Sequence, residues 1–222
     1  MKKAIILFLT ALMLLCPLQS WAEKANTDQI EKAYGALGTK VKMGTYFIGT
    51  EDDPYTWEPI EWVVSDINEE EGRCLLVSWQ ILDNQVFGSN MWGAIPDVES
   101  WLTDLYYNCF TEEEREHIVR VELESEMYPG TSGGLFDVFL LSSYEVFTNS
   151  YINLKTGPTW YAMAQGCKGD WWLRSREPGT THRYVQFVKK DGSMGYSTMP
   201  DGQRKGIRPA MWVEVSWLFG DQ

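Results

Sequence analysis

Two apolar runs constrain this chain more than any other feature. Trp62-Val63-Val64 and Cys74-Leu75-Leu76-Val77 carry no polar residue at alternate positions. Successive side chains of a strand point to opposite faces, so a strand with one wet face has to alternate, and these runs do not. Both are expected to be strands covered on both faces inside a sheet, with Glu69-Glu70-Glu71-Gly72 as the tight connection between them. Such strands need other material to cover them. The 222 residues, 44% of them hydrophobic and 14% aromatic, supply enough for one well-packed core and exclude overall disorder.

The rest of the chain sorts around that sheet. Residues 26–38 read as a short helix with Ile30, Ala33, Tyr34 and Leu37 on one face, started by Asn26 or Thr27, stopped by Gly38 and packed as a lid. Residues 41–48, 59–64 and 73–79 read as strands, and residues 98–110 as a helix capped by Asp97. Thr111 with Glu114, and Ser142 with Glu145, form capping boxes that start two further short helices. Residues 129–134 are expected to be an exposed loop before an apolar strand at 136–141. Strands at 171–175, 184–188, 194–197 and 208–215 suggest a β meander, with turns at Asp191-Gly192 and Pro200-Asp201-Gly202. Helices in the middle and strands at both ends do not alternate as βαβ units. The expected class is α+β: one domain of mixed, mostly antiparallel sheets with two or more helices.

The first 22 residues read as an export signal. Lys2 and Lys3 give a basic start, residues 4–16 are apolar, and Ser20-Trp21-Ala22 puts small residues at positions −3 and −1 of a cleavage site after Ala22. That stretch is shorter than the roughly 20 residues of a spanning helix, and no later segment lacks charges for that long, so no stable membrane insertion is expected after cleavage. Cys16 follows Leu15 rather than the small residue of a lipobox, which favours ordinary cleavage. Residues 23–40 then form a helical extension, 41–216 the domain and 217–222 a tail, in an extracellular or periplasmic protein. The formal charge is −12, and removing the signal takes away two lysines and no acid. Such a surface repels phosphate backbones, so no nucleic-acid partner is expected.

The chemistry-bearing residues are few. Cys74, Cys109 and Cys167 remain after cleavage, an odd number without a Cys-x-x-Cys pair, so no disulfide framework is expected. His117 and His182 lie far apart, and neither a metal nor another cofactor is expected. Cys109 belongs to an apolar helix face, which makes it a core residue rather than a nucleophile served by His117. The acids from Glu112 to Glu116 read as a solvated helix start. Arg174 and Arg208 sit inside apolar segments, where a guanidinium ties carbonyls or a carboxylate together, and Glu61 either partners one of them or faces solvent. Trp62, Trp101, Trp172 and Trp212 lie in periodic segments and are assigned to packing. Trp57, Trp92 and Trp160 fall in Pro-, Gly- or Asn-rich loops and are the candidate ligand contacts.

Pro59-Ile60-Glu61-Trp62, Leu75-Leu76-Val77-Ser78, Trp101-Leu102, Phe139-Leu140-Leu141-Ser142, Tyr161-Ala162, Trp171-Trp172-Leu173-Arg174-Ser175 and Gly206-Ile207-Arg208-Pro209-Ala210-Met211-Trp212 follow one another in order. Together they resemble an uncharacterised family of bacterial exported domains, related in turn to the C-type-lectin-like superfold shared by lectin domains and formylglycine-generating enzymes. The resemblance implies that the two chain ends pair in one sheet, with residues 41–48 near 211–215. The chain departs from the family pattern at Thr103 and at Arg176-Glu177-Pro178-Gly179. No lectin calcium triplet and no oxidase cysteine pair is present. Three function classes stay open. A non-catalytic exported binding module for a glycan or protein leads, ahead of a structural envelope or matrix protein and an enzyme of unrecognised class.

Overall fold

In the computed structural model, residues 25–88, 97–124, 132–176, 184–198 and 202–220 are described. The signal segment with Cys16 and Ala22, the segment holding Trp92, His182, and the expected turn residues Pro200 and Asp201 lie outside the described residues.

The chain begins with α1 (Thr27–Gly35), whose cap Asn26 accepts from the Gln29 amide at 3.0 Å while Gln29 Oε1 accepts from the Asn26 amide. Ile30 and Ala33 of α1 are buried in the main core. Then follow β1 (Lys40–Phe47), β2 (Trp57–Asn68), β3 (Arg73–Ser78) and β4 (Asp83–Val86). The central helices are α2 (Asp97–Cys109) and α3 (Glu112–Glu116). Asp97 is the first residue of α2 rather than a cap ahead of it, and its charge still faces the positive end of the helix. Thr111 caps α3 through the expected box with Glu114.

Next come β5 (Ile118–Val119), β6 (Val121–Glu124), β7 (Ser132–Phe136) and β8 (Phe139–Leu140). Here two expectations need correction. Ser132 and Gly134 are not loop but pair through their backbone with β6 on either side of a bulge at Gly133, residues 129–131 lie outside the described residues, and the strand expected at 136–141 is split between β7 and β8. α4 (Ser143–Thr148) starts from the Ser142–Glu145 box, and α5 (Trp160–Ala164) from Thr159, whose hydroxyl accepts from the Ala162 amide at 3.0 Å. The last elements are β9 (Trp171–Arg176), β10 (Tyr184–Val188), β11 (Met194–Thr198), β12 (Arg204–Ile207), β13 (Pro209–Glu214) and α6 (Val215–Leu218).

The larger sheet runs β1-β2-β3-β13-β5, with β8 also on β13, and a second runs β11-β10-β9-β12-β4. All named strand pairs are antiparallel except β9 with β12, and the single domain is α+β. The apolar runs behave as their pattern requires. On β3, Cys74 and Leu76 enter one hydrophobic cluster while Leu75 and Val77 enter another, and on β13 Met211 and Val213 oppose Ala210 and Trp212 in the same way.

Two topological expectations change. β1 and β13 share a sheet but do not pair, because short connections zip β1, β2 and β3 together and β13 then closes on the far side of β3. The meander covers only β9, β10 and β11. The strand expected over 208–215 is β13, one residue shorter at each end, but β12 ahead of it was not expected; at Arg208 the chain leaves β12 in the second sheet for β13 in the first, and Pro209 supplies no amide to continue the ladder. Arg208 is 1% exposed, donates from Nε to Ser78 O at 2.9 Å and from Nη1 to Asn153 O at 2.8 Å, and lies over the Trp171 ring. No carboxylate faces it among the described residues, and burial pulls its pKa down to about 9. It pins β3, the 149–159 connection and β9 at the point where the chain changes sheet.

Candidate functional site

A bulge in β1 sets the geometry of the exposed end of the first sheet. Lys42 pairs with Glu61 and Thr45 with Pro59, so Met43 and Gly44 together oppose Ile60. Gly44 has φ +65°, and its amide donates to Glu114 Oε1 at 2.7 Å. A Cβ there would meet the Phe110 ring at 2.8 Å and Cys109 O at 2.9 Å, so the position requires glycine. The extra residue shifts the alternation. Lys42, Thr45 and Phe47 share the outer face with their partners Glu61, Pro59 and Trp57, while Met43 and Tyr46 turn inward.

On that outer end the rings gather. Phe47 lies 4.6 Å from Trp57 and stacks on Tyr161 at 5.0 Å, and Tyr55 meets Tyr161 edge-on at 5.7 Å between ring centroids. Tyr55 is 56% and Trp57 49% exposed. The support beneath them is polar. Asp83, 2% exposed, accepts through Oδ2 from Tyr46 Oη at 3.0 Å, Gln85 Nε2 at 3.0 Å and Trp101 Nε1 at 2.7 Å. The Tyr46 ring touches Phe47, Trp57, Trp101 and Tyr161. Burial first, and then the Asp83 charge, push the Tyr46 and Tyr161 phenols up, so both stay protonated donors.

Beside this platform lies a cleft of about 260 Å³, lined by Lys42, Glu58, Glu61, Trp79 and Gln80 over an apolar floor that includes Leu82. Lys40 pairs with Glu61 at 2.9 Å and sits 4.0 Å from the centroid of the Trp79 ring.

Of the three tryptophans expected to contact ligand, the structure places Trp57 in the platform. It is the first residue of β2, paired with Phe47, rather than a loop residue. Trp160 is also not in a loop, because the Thr159 cap makes it the first residue of α5; it is 42% exposed, and its ring makes no aromatic contact with the platform. Trp92 lies outside the described residues. Trp62 and Trp172 are buried, whereas Trp101 and Trp212 are only partly so. Arg174 ties Glu145 and Leu140 O, and Glu61 pairs with Lys40 instead of either arginine because β1 places that lysine beside it. Sequence reasoning missed Asp83, Phe47, Tyr55 and Tyr161. The Tyr55-Thr56-Trp57 triplet between Pro54 and Pro59 was the available signal, while the Asp83 network joins residues too distant in sequence to be read.

Reactive chemistry is sparse. Cys74, Cys109 and Cys167 are free and buried; burial pushes the Cys74 thiol up to about 12, that of Cys109 up to about 11, and that of Cys167 upward. Among the described residues, no group of three or more His, Cys, Asp or Glu side chains converges on a point where a metal could sit. Among the same residues, no helix is long and apolar enough to cross a membrane.

A family described as a domain of unknown function, DUF6273, matches residues 71–215, about two-thirds of the chain. The chain belongs to that family. No curated protein and no solved structure matches it. Within this DUF6273 protein the matched stretch contains Asp83, Trp101 and Tyr161, whereas β1 and Trp57, and with them most of the platform, precede it.

Proposed function

We infer that this DUF6273 protein is an exported, non-catalytic binding module whose contact surface is the aromatic platform of Phe47, Tyr55, Trp57 and Tyr161. The observation that carries the reading is the pairing of large exposed rings with a buried scaffold that fixes them. Tyr46 and Trp101 are held from below by Asp83, so the rings are positioned without the entropy cost of ordering them on contact. Single exposed apolar residues are ordinary on a protein surface, whereas a contiguous, braced cluster marks an interaction site. The ligand classes are an extracellular glycan or protein. Export follows from the basic start and apolar stretch before Ala22, and mass spectrometry of secreted protein should find Glu23 at the N-terminus. The C-type-lectin-like scaffold belongs to the same reading. It is supported by the ordered motifs, and the two strands separating β1 from β13 are its chief departure.

The test is a combined glycan and protein array probed with the wild-type chain and with the Tyr55→Ala/Trp57→Ala double variant. The double variant should melt as the wild type does and lose the hits. Hits untouched by the double substitution, or catalytic turnover by the purified chain, would sink the reading.

A further inference from the structure

The alternation of β2 joins the platform to the cleft. Trp57, Pro59 and Glu61 stand on one face of the strand, with Phe47, Thr45 and Lys42 opposite them on β1. The distance from Trp57 to Glu61 along the strand is roughly 13 Å, at about 3.3 Å per residue. A ring platform at one end is thus continuous with a polar cleft at the other.

Three polar side chains of the cleft are unspent. Among the described residues, the side chains of Lys42, Glu58 and Gln80 make no hydrogen bond or ion pair, although all three line the cleft. They offer a cation, an anion and an amide, so donors and acceptors are both present and the formal charges cancel. Lys40 and Glu61 compensate one another at 2.9 Å.

That inventory separates the ligand chemistries. An anionic chain meets Glu58, Glu61 and a protein of net charge −12. A quaternary ammonium needs rings around a void, and these rings pack on each other at 4.6 and 5.0 Å. An apolar peptide would bury Lys42, Glu58 and Gln80 unpaired at a cost. An uncharged polyhydroxylated chain has flat C–H faces for the rings and hydroxyls for both kinds of polar partner.

We propose that the groove from Trp57 to Gln80 binds a linear, uncharged oligosaccharide, one part stacked on the platform and the next hydrogen-bonded in the cleft. This rests on the binding-module reading and adds the ligand class and the second subsite. The experiment is calorimetric titration of the full chain with uncharged hexose and N-acetylhexosamine oligomers of one to six units, and with uronic-acid oligomers of the same lengths. Affinity for at least one uncharged series should rise beyond the monosaccharide and then level off. Trp57→Ala and Lys42→Ala/Gln80→Ala should each weaken it tenfold or more, with melting unchanged, and Trp57→Phe should retain most of it. Binding lost with Trp57 but indifferent to the cleft variant overturns the proposal and leaves the platform reading intact. So does binding of uronic-acid oligomers in place of the uncharged ones, or an array that finds only a protein partner needing Trp57. Absence of heat with every uncharged oligomer at millimolar concentration also overturns it.

Discussion

β3 and the outer end of the β1–β2 pair belong to one sheet but live in different surroundings. At β3 both faces are dry, with Leu76 pointing into one cluster and Leu75 into the other. At the outer end, Ile60 and Trp62 turn inward while Trp57 and Pro59 stay exposed. The same period of two governs both places. The difference lies in what stands opposite: over β3 and β13 the second sheet and the α4–α5 segment supply apolar cover, whereas over the end of β2 the α4–α5 segment brings only the Tyr161 ring, stacked on Phe47. Exposed rings there are therefore held by Asp83 from within rather than covered from outside.

The contrast can be broken by substitution. The largest loss is expected for Arg208→Ala, on the order of 4 kcal/mol, because it empties a buried site and orphans two carbonyls. Arg208→Met should recover part of this, since it keeps volume without burying an unpaired charge. Both values come from chemical denaturation, and an Arg208→Ala curve that overlays the wild type would contradict the pinning role. Leu75→Ala and Leu76→Ala should each cost about 3 kcal/mol if both faces are dry. A one-sided sheet would show one large and one small loss. Asp83→Asn should cost about 1–3 kcal/mol and broaden tryptophan emission as the platform loses its brace.

Alkaline titration probes the dry side separately. The folded thiol pKa of Cys74, about 12, stands above its ordinary value of 9.0. Its contribution is complete below pH 9 and is lost as pH rises from about 9 towards 12, because the unfolded chain releases its proton first. Urea midpoints should fall across that window, and Cys74→Ala should flatten the fall. The smallest effect belongs to the wet end, where Trp57→Ala should shift stability by less than about 0.5 kcal/mol, as is usual for exposed sites.

Local chemistry was legible in the sequence. The Asn26, Thr111 and Ser142 helix starts, the limits of β10 and the two-faced burial of Cys74 to Val77 all follow from residues within a few positions of each other. Long-range closure was not. That β12 would join β9 in parallel, or that β13 would leave for the other sheet, depends on where Arg208 finds carbonyls 55 and 130 residues away. The candidate site divides similarly. Trp57 stood out by its neighbours, whereas Asp83 gathers Tyr46 and Trp101 from other elements, and no local pattern announces a buried carboxylate shared by three donors.

The placement of β13 between β3 and β5 has a consequence in time. The Cys74 thiol rests on Val213 O, 139 residues further along the chain. A ribosome adding about 5–20 residues per second needs on the order of ten seconds to make that stretch. Throughout it the nascent hairpin of β2 and β3 presents an unpaired edge and two apolar faces. Such a delay keeps the β2–β3 hairpin open until β13 has been made, so the strand that completes the sheet also times the moment at which the protein closes.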